Sequence, residues 1–246
     1  MKNFKLTISY DGTRYNGWQR QGNTKNTIQE KIESVLSVLF QKKIEIQGSG
    51  RTDAGTHAIA QIANFKIETE LDKIEIRQYL NHYLPEDIVV TNIEEVDLRF
   101  HSRLSAKEKC YLYRLHIGEI PPVFTRRYVY TFPCSLDIDK MQQAAEVLLG
   151  KHDFRGFSSE KRKKKSTTRE IYSVDINPIG DEIQFTFRGN GFLFHMVRIL
   201  TGTLIEIGAK EMETEQILKI LDTKNRTFAG RTLPARGLTL VSVKYD

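Results

Sequence analysis

Hydrophobic and polar positions alternate with a period of two from the start of the chain. Phe4, Leu6, Ile8 and Tyr10 stand against Lys5, Thr7 and Ser9, and Asp11-Gly12 stops the run. This is the pattern of a half-buried strand ended by a turn. The period then changes. Behind Thr27-x-x-Glu30, a capping-box pattern, Ile28, Ile32, Val35, Leu36, Leu39 and Phe40 recur at helical spacing. A short strand is predicted at 43–47, a glycine-rich loop at 48–57 and a strand at 59–67. Asp72-x-x-Glu75 opens a second helix with Ile74, Leu80 and Leu84 on its inner side, and 88–96 reads as a strand.

The second half uses the same vocabulary. Tyr111, Tyr113, Leu115 and Ile117 alternate along a strand at 109–117, and 127–132 predicts another. A helix at 139–149 is closed by Gly150 as its C′ residue. Tyr172, Val174 and Ile176 alternate, Gly180-Asp181 turns the chain, and Ile183, Phe185 and Phe187 alternate in return. A long buried helix is predicted at 192–207, a short one at 214–221 and a closing strand at 238–245. These elements give an α+β chain of two mixed lobes, residues 1–100 and 101–246, joined near 97–105, with strands able to share one extended sheet. The run from Lys161 to Lys165 falls between a helix and a strand and reads as a loop.

Composition narrows the class. The chain has 246 residues, 37 Lys plus Arg and 31 Asp plus Glu, giving a formal net charge of +6. With 39% hydrophobic and 28% charged residues, it has a soluble globular balance. No apolar run approaches the roughly 20 residues that span a bilayer, and no signal-peptide pattern follows Met1. The two cysteines, Cys110 and Cys134, form no C-x-x-C pair, so neither a disulfide framework nor a Cys-rich zinc site is expected, and a reducing cytoplasm is the simplest location. The positive balance favours an anionic partner.

Several chemistries lack their residues. In Gly48-Ser49-Gly50-Arg51-Thr52-Asp53 an aspartate stands where a dinucleotide fingerprint needs its third glycine, and there is no P-loop, H-E-x-x-H or G-x-S-x-G motif. What remains is the loop Gly48–His57. Its glycines flank one carboxylate, Asp53, and allow close backbone approach by a bulky ligand. Arg51, two residues earlier, can lower the carboxylate's pKa or hold a phosphate. The same residues also suit an ordinary strand-connecting turn. The segment Asp11–Gln21 mixes polar, aromatic and basic residues, as a base-stacking surface does, or as a loop whose Trp18 packs inward does. Tyr111 and Tyr113 face one side of their strand, as core residues or with one poised to stack on a base. Arg198 lies among Val197, Ile199 and Leu200, where a buried guanidinium needs an acidic partner unless it snorkels to solvent. The basic run at 161–165 and Arg226, Arg231 and Arg236 add cationic surface without base specificity.

Taken together, these segments resemble the tRNA pseudouridine synthase A family. The likeness is carried by Gly50-Arg51-Thr52-Asp53-Ala54-Gly55-Thr56-His57-Ala58 with Gln61 and Phe65, by Tyr10-Asp11-Gly12, Tyr15 and Gly17-Trp18-Gln19, and by Thr27-Ile28-Gln29-Glu30. Leu84-Pro85, Asp87-Ile88, Phe100–Arg103, Tyr111 and Tyr113, Gly150–Phe154, Gly191–Arg198, Ala229–Pro234 and Gly237-Leu238 follow in the family's order. The resemblance implies the pseudouridine synthase fold, an extended and mainly antiparallel sheet with a central basic active-site cleft. It implies isomerisation of uridine to pseudouridine at nucleotides 38, 39 and 40 of the tRNA anticodon stem-loop, without a cofactor or metal, by a homodimer that binds tRNA. By residue matching, Asp53 is the essential carboxylate, Tyr111 stacks on the uracil, Arg198 pairs with the aspartate and Arg51 assists from the loop at the extruded nucleotide. Three departures stand out. Thr56 replaces the family's usual Val, Thr239 a common aromatic, and the Lys161–Lys165 run lies where the family varies.

Overall fold

The computed structural model describes residues 1–160 and 166–245. The basic run at 161–165 lies outside the described residues. The chain forms two compact units: Met1–Lys107 with the C-terminal segment from Thr239, and Glu108–Leu238. No helix among the described residues is long and apolar enough to cross a membrane.

The first unit contains β1 (Lys2–Tyr10), α1 (Ile28–Leu39), β2 (Gln47–Gly48), β3 (His57–Ile67), α2 (Lys73–Tyr83) and β4 (Ile88–Val96). β1 pairs antiparallel with both β3 and β4, so the predicted N-terminal strand is the centre of a meander. Its alternating residues Phe4, Leu6, Ile8 and Tyr10 are buried together with Ile28, Ile32 and Leu36 of α1 and Ile76 and Leu80 of α2. Thr27 caps α1 by accepting from the Glu30 N–H, and Asp72 and Glu75 form a complete capping box on α2. The inner face of α2 differs from the expected one. Ile74 is exposed and Ile76 takes its place, because Ile76 and Leu80 are four residues apart and share a stripe that Ile74, two residues earlier, does not.

The predicted strand at 43–47 shrinks to Gln47–Gly48. Ile44 and Ile46 are buried, but their backbone N–H groups are satisfied by Ser37 Oγ at 3.0 Å and Glu33 Oε1 at 2.9 Å, side chains of α1, rather than by a neighbouring strand.

The second unit runs through β5 (Glu108–Ile117), β6 (Tyr130–Phe132), α3 (Ile138–Glu146), β7 (Gly150–Asp153), β8 (Thr168–Ile179), β9 (Glu182–Gly189), α4 (Met196–Gly208) and α5 (Gln216–Thr223). β9 lies between β5 and β8, β7 pairs with β8, and all three pairings are antiparallel, while the short β6 runs parallel to β5. The mixed α/β character expected from the sequence is thus present in both units. The last strand, β10 (Leu238–Lys244), pairs parallel with the start of β3, setting Thr239 beside His57 and Leu240 beside Ala58.

Helix α4 begins four residues later than its apolar run suggests. His195 has φ 62°, a left-handed backbone that a right-handed helix cannot contain, so Phe192–His195 form a loop leading into it. From Met196 onward the helix is buried almost throughout, with Arg198 half-buried among apolar neighbours.

Candidate active site

In the first unit the loop from Gly48 to Thr56 is held from beneath by the segment Asp11–Trp18. The Trp18 N–H donates to Thr52 O at 3.1 Å and the Gly55 N–H to Tyr15 O. Tyr10 and Thr52 share a buried hydroxyl–hydroxyl bond of 2.8 Å. Burial pushes the Tyr10 phenol well above its ordinary pKa, so it stays protonated. Further along, Ser49 Oγ donates to Gln61 Oε1 at 2.6 Å, and Gln61 Nε2 donates to Gly50 O at 3.0 Å. At the far end of the loop, the Gly12 N–H donates to His57 Nδ1 at 3.1 Å.

Two glycines are required by close approach. A Cβ on Gly12 would lie 2.0 Å from Thr56 O, and one on Gly48 would lie 2.4 Å from the Trp18 indole nitrogen. Trp18 is therefore a core residue under the loop, with Tyr10 as an aromatic neighbour at 6.1 Å, and the base-stacking reading of this tryptophan is set aside. The loop's last backbone bond, Thr56 N–H to Asp53 O at 3.1 Å, turns the chain directly after the aspartate. Asp53 is half-buried and Arg51 is exposed on the same loop. A backbone fixed on both sides of a single carboxylate is the preorganised arrangement that general-base or nucleophilic chemistry needs.

In the second unit Tyr111 and Tyr113 project from β5 to the same side and are buried. Their roles divide. Tyr113 is core: it packs against Gly237, and its hydroxyl donates to Pro234 O at 2.9 Å. Burial raises its pKa, which the neighbouring Arg198 partly opposes. Tyr111 meets Phe192 edge to face, with ring centroids 5.2 Å apart. Phe192 was hidden in the sequence inside an apolar run read as helix, and only the left-handed turn at His195 reveals it as a loop residue beside Tyr111.

Arg198 is anchored from the strap that precedes β10. Its Nε donates to Leu233 O at 2.6 Å. The strap itself is clamped to α4: the Gly230 N–H donates to Thr203 Oγ1 at 3.0 Å and the Arg231 N–H to Glu206 Oε1 at 2.8 Å. Arg226 bonds Ala229 O and Thr232 Oγ1, Arg231 pairs with Glu206 and Glu211, and Arg236 lies over the Tyr130 ring. These C-terminal arginines thus contact the protein's own groups: Arg226 the strap, Arg231 the acidic side chains on and just after α4, and Arg236 an aromatic ring on β6. Of the sequence-predicted site residues, Asp53 and Arg51 share one loop of the first unit, and Tyr111 and Arg198 belong to the second.

The sequence profile of the tRNA pseudouridine synthase family matches residues 6–104 and 144–246. A protein of Bacillus sp. (strain KSM-64) named tRNA pseudouridine synthase A is 49% identical over 245 residues, with all of both chains covered. One of Bacillus cereus (strain ZK / E33L), named tRNA pseudouridine synthase A 2, is 46% identical, and a tRNA pseudouridine synthase A of Acetivibrio thermocellus is 41% identical, again with all of both chains covered. Relatedness of this degree over the whole length, including the Asp53 loop and the Arg198 helix, places the chain in the tRNA pseudouridine synthase family.

Proposed function

We propose that the chain is an isomerase that converts uridine to pseudouridine at nucleotides 38, 39 and 40 of the tRNA anticodon stem-loop. The N1–C1′ bond breaks, the uracil turns over and a C5–C1′ bond forms. The C5 proton leaves to solvent and N1 gains one, so the product is an isomer of the substrate. The observation that carries the reading is the full-length likeness to relatives named tRNA pseudouridine synthase A.

Asp53 is the essential carboxylate, acting as nucleophile at the sugar or base, or as a base at the sugar. The clamped backbone around it supports this role, since it limits the motion of the reacting group. Tyr111 holds the uracil by its ring, and the edge-to-face contact with Phe192 keeps that ring from rotating away. Arg198 pairs with the catalytic carboxylate, while Leu233 O constrains its Nε. Arg51 binds at the extruded nucleotide, whose removal from the stack costs a few kcal/mol. The chain's own residues suffice for this chemistry and no cofactor enters the proposal. A homodimer binds the tRNA; pairing two chains of formal charge +6 raises the attraction to RNA and its salt dependence.

The test is tritium release from tRNA transcripts labelled at uridine C5, with wild type and Asp53→Asn assayed side by side. Release by the wild type alone is expected, with both proteins folded and binding tRNA. Normal release by Asp53→Asn would remove the aspartate from the mechanism. Absence of release by a folded wild type that binds tRNA would favour a binding role or another RNA target.

A further inference from the structure

We infer that Gln19, Gln29 and Glu33 form a relay of fixed polarity that positions Arg51, an inference that rests on the role proposed above for that arginine. The relay starts at a buried carboxylate. Glu33, on α1, accepts from the Ile46 N–H through Oε1 at 2.9 Å and from Arg20 Nη1 through Oε2 at 2.9 Å. A carboxylate in this setting only accepts. The buried amide of Gln29, one helical turn earlier, must therefore turn its NH₂ group toward it. Gln29 Nε2 indeed donates to Glu33 Oε1 at 2.8 Å, and also to Ile46 O at 3.2 Å.

That orientation leaves Gln29 Oε1 pointing the other way. It accepts from the Arg20 N–H at 2.9 Å and from Gln19 Nε2 at 2.7 Å. Because Gln19 spends its NH₂ group on Gln29, its own carbonyl oxygen faces outward. That oxygen accepts from Arg51 Nε, the longest link of the chain at 3.4 Å. At each step the donor end of one amide is dictated by an obligate acceptor, or its acceptor end by an obligate donor. Neither glutamine can flip without setting donor against donor.

The consequence for Arg51 is specific. An exposed arginine on a glycine-rich loop samples many rotamers, and holding it for substrate costs side-chain entropy at the moment of binding. A carbonyl fixed at Nε biases the guanidinium beforehand and leaves its two outer nitrogens out of that bond. Gln19, Gln29 and Glu33 touch neither substrate nor reacting atoms in this scheme. They are positioning residues that act through Arg51.

A mutant cycle on tritium release from C5-labelled tRNA tests the relay. Gln19→Met and Gln29→Met preserve side-chain length and remove the amides. Each is expected to lower kcat/KM by about three- to tenfold, the range for loss of one hydrogen bond, and to do so in whichever parameter, KM or kcat, Arg51→Met itself changes. In an Arg51→Met background neither should lower it further. Equal losses in both backgrounds would mean a merely structural role and overturn the inference. So would full activity of both variants where Arg51→Met is impaired. Full activity of Arg51→Met itself would overturn the role of that arginine and the relay with it, a result distinct from the other two. Thermal midpoints accompany each variant. If Gln29→Met fails to fold, Gln19→Met, on a half-buried side chain, completes the cycle alone.

Discussion

Replacing Thr56 by Val is expected to stabilise the protein without altering turnover. Thr56 is 1% exposed, and its Oγ1 is buried with no hydrogen-bond partner among the described residues. A buried hydroxyl without a partner costs about 1–3 kcal/mol relative to a pair of satisfied or apolar groups. Valine has nearly the same shape and replaces that hydroxyl by a methyl, whose burial adds up to about 0.8 kcal/mol. The backbone bonds at this position, Thr56 N–H to Asp53 O and the packing of Thr56 O on Gly12, do not involve the side chain. The net gain expected is about 1–3 kcal/mol, and with about 2–4 °C per kcal/mol for a chain of this size the thermal midpoint should rise by about 2–12 °C. Thr56→Ser supplies the control, since it keeps the hydroxyl and loses the methyl. The midpoints by calorimetry should order Val above Thr above Ser, with an unchanged urea m-value. A midpoint for Thr56→Val at or below wild type would refute the reasoning, because it would mean that the hydroxyl has a partner, such as an ordered water, that valine cannot bond. The same likeness that marks Thr56 as a departure from the family's usual Val makes this substitution a natural one.

Other outcomes follow from the same geometry. Gly202→Ala on α4 would set a Cβ 2.0 Å from Arg231 O; overpacking of this kind costs about 1–3 kcal/mol and outweighs alanine's helix preference, so both the thermal midpoint and kcat should fall as the strap carrying Leu233 O moves from Arg198. Burial alone would raise the Asp153 pKa, but bonds from Thr167 Oγ1, Lys224 Nζ and the Arg155 N–H together hold it below 3.8. Its folded-state pKa being depressed, its contribution is complete above 3.8 and disappears as pH falls through the folded value; the midpoint difference between wild type and Asp153→Asn should therefore shrink on acidification, and a pH-independent difference would contradict the assignment. Replacing Lys161–Lys165 by Ser should weaken tRNA affinity and flatten its dependence on salt, and an unchanged slope would leave that run without a role in binding.

The sequence by itself determined the identity of the elements wherever local chemistry is strong. The alternation of Phe4 to Tyr10 gave β1, and Thr27 and Asp72 marked the starts of α1 and α2, since a capping side chain acts within a few residues of its own backbone. The residues proposed to carry the chemistry, Asp53, Arg51, Tyr111 and Arg198, stood out as well, through oddities of composition and through likeness to a family. Tertiary structure decided what lies beyond local reach. Whether Ile44 and Ile46 form a strand depended on which groups satisfy their N–H bonds, and the answer lay in side chains of α1. Whether Phe192 begins a helix depended on the left-handed backbone at His195, which an apolar run does not encode. That Trp18 supports the loop instead of facing RNA depended on Gly48 leaving room for an indole thirty residues away in sequence. The bonds of Arg198 to Leu233 O and of Arg51 to Gln19 depended likewise on distant partners. Hydrogen bonds between remote side chains leave no periodic trace in the chain, so only folding could reveal which polar residues serve the site and which serve the core.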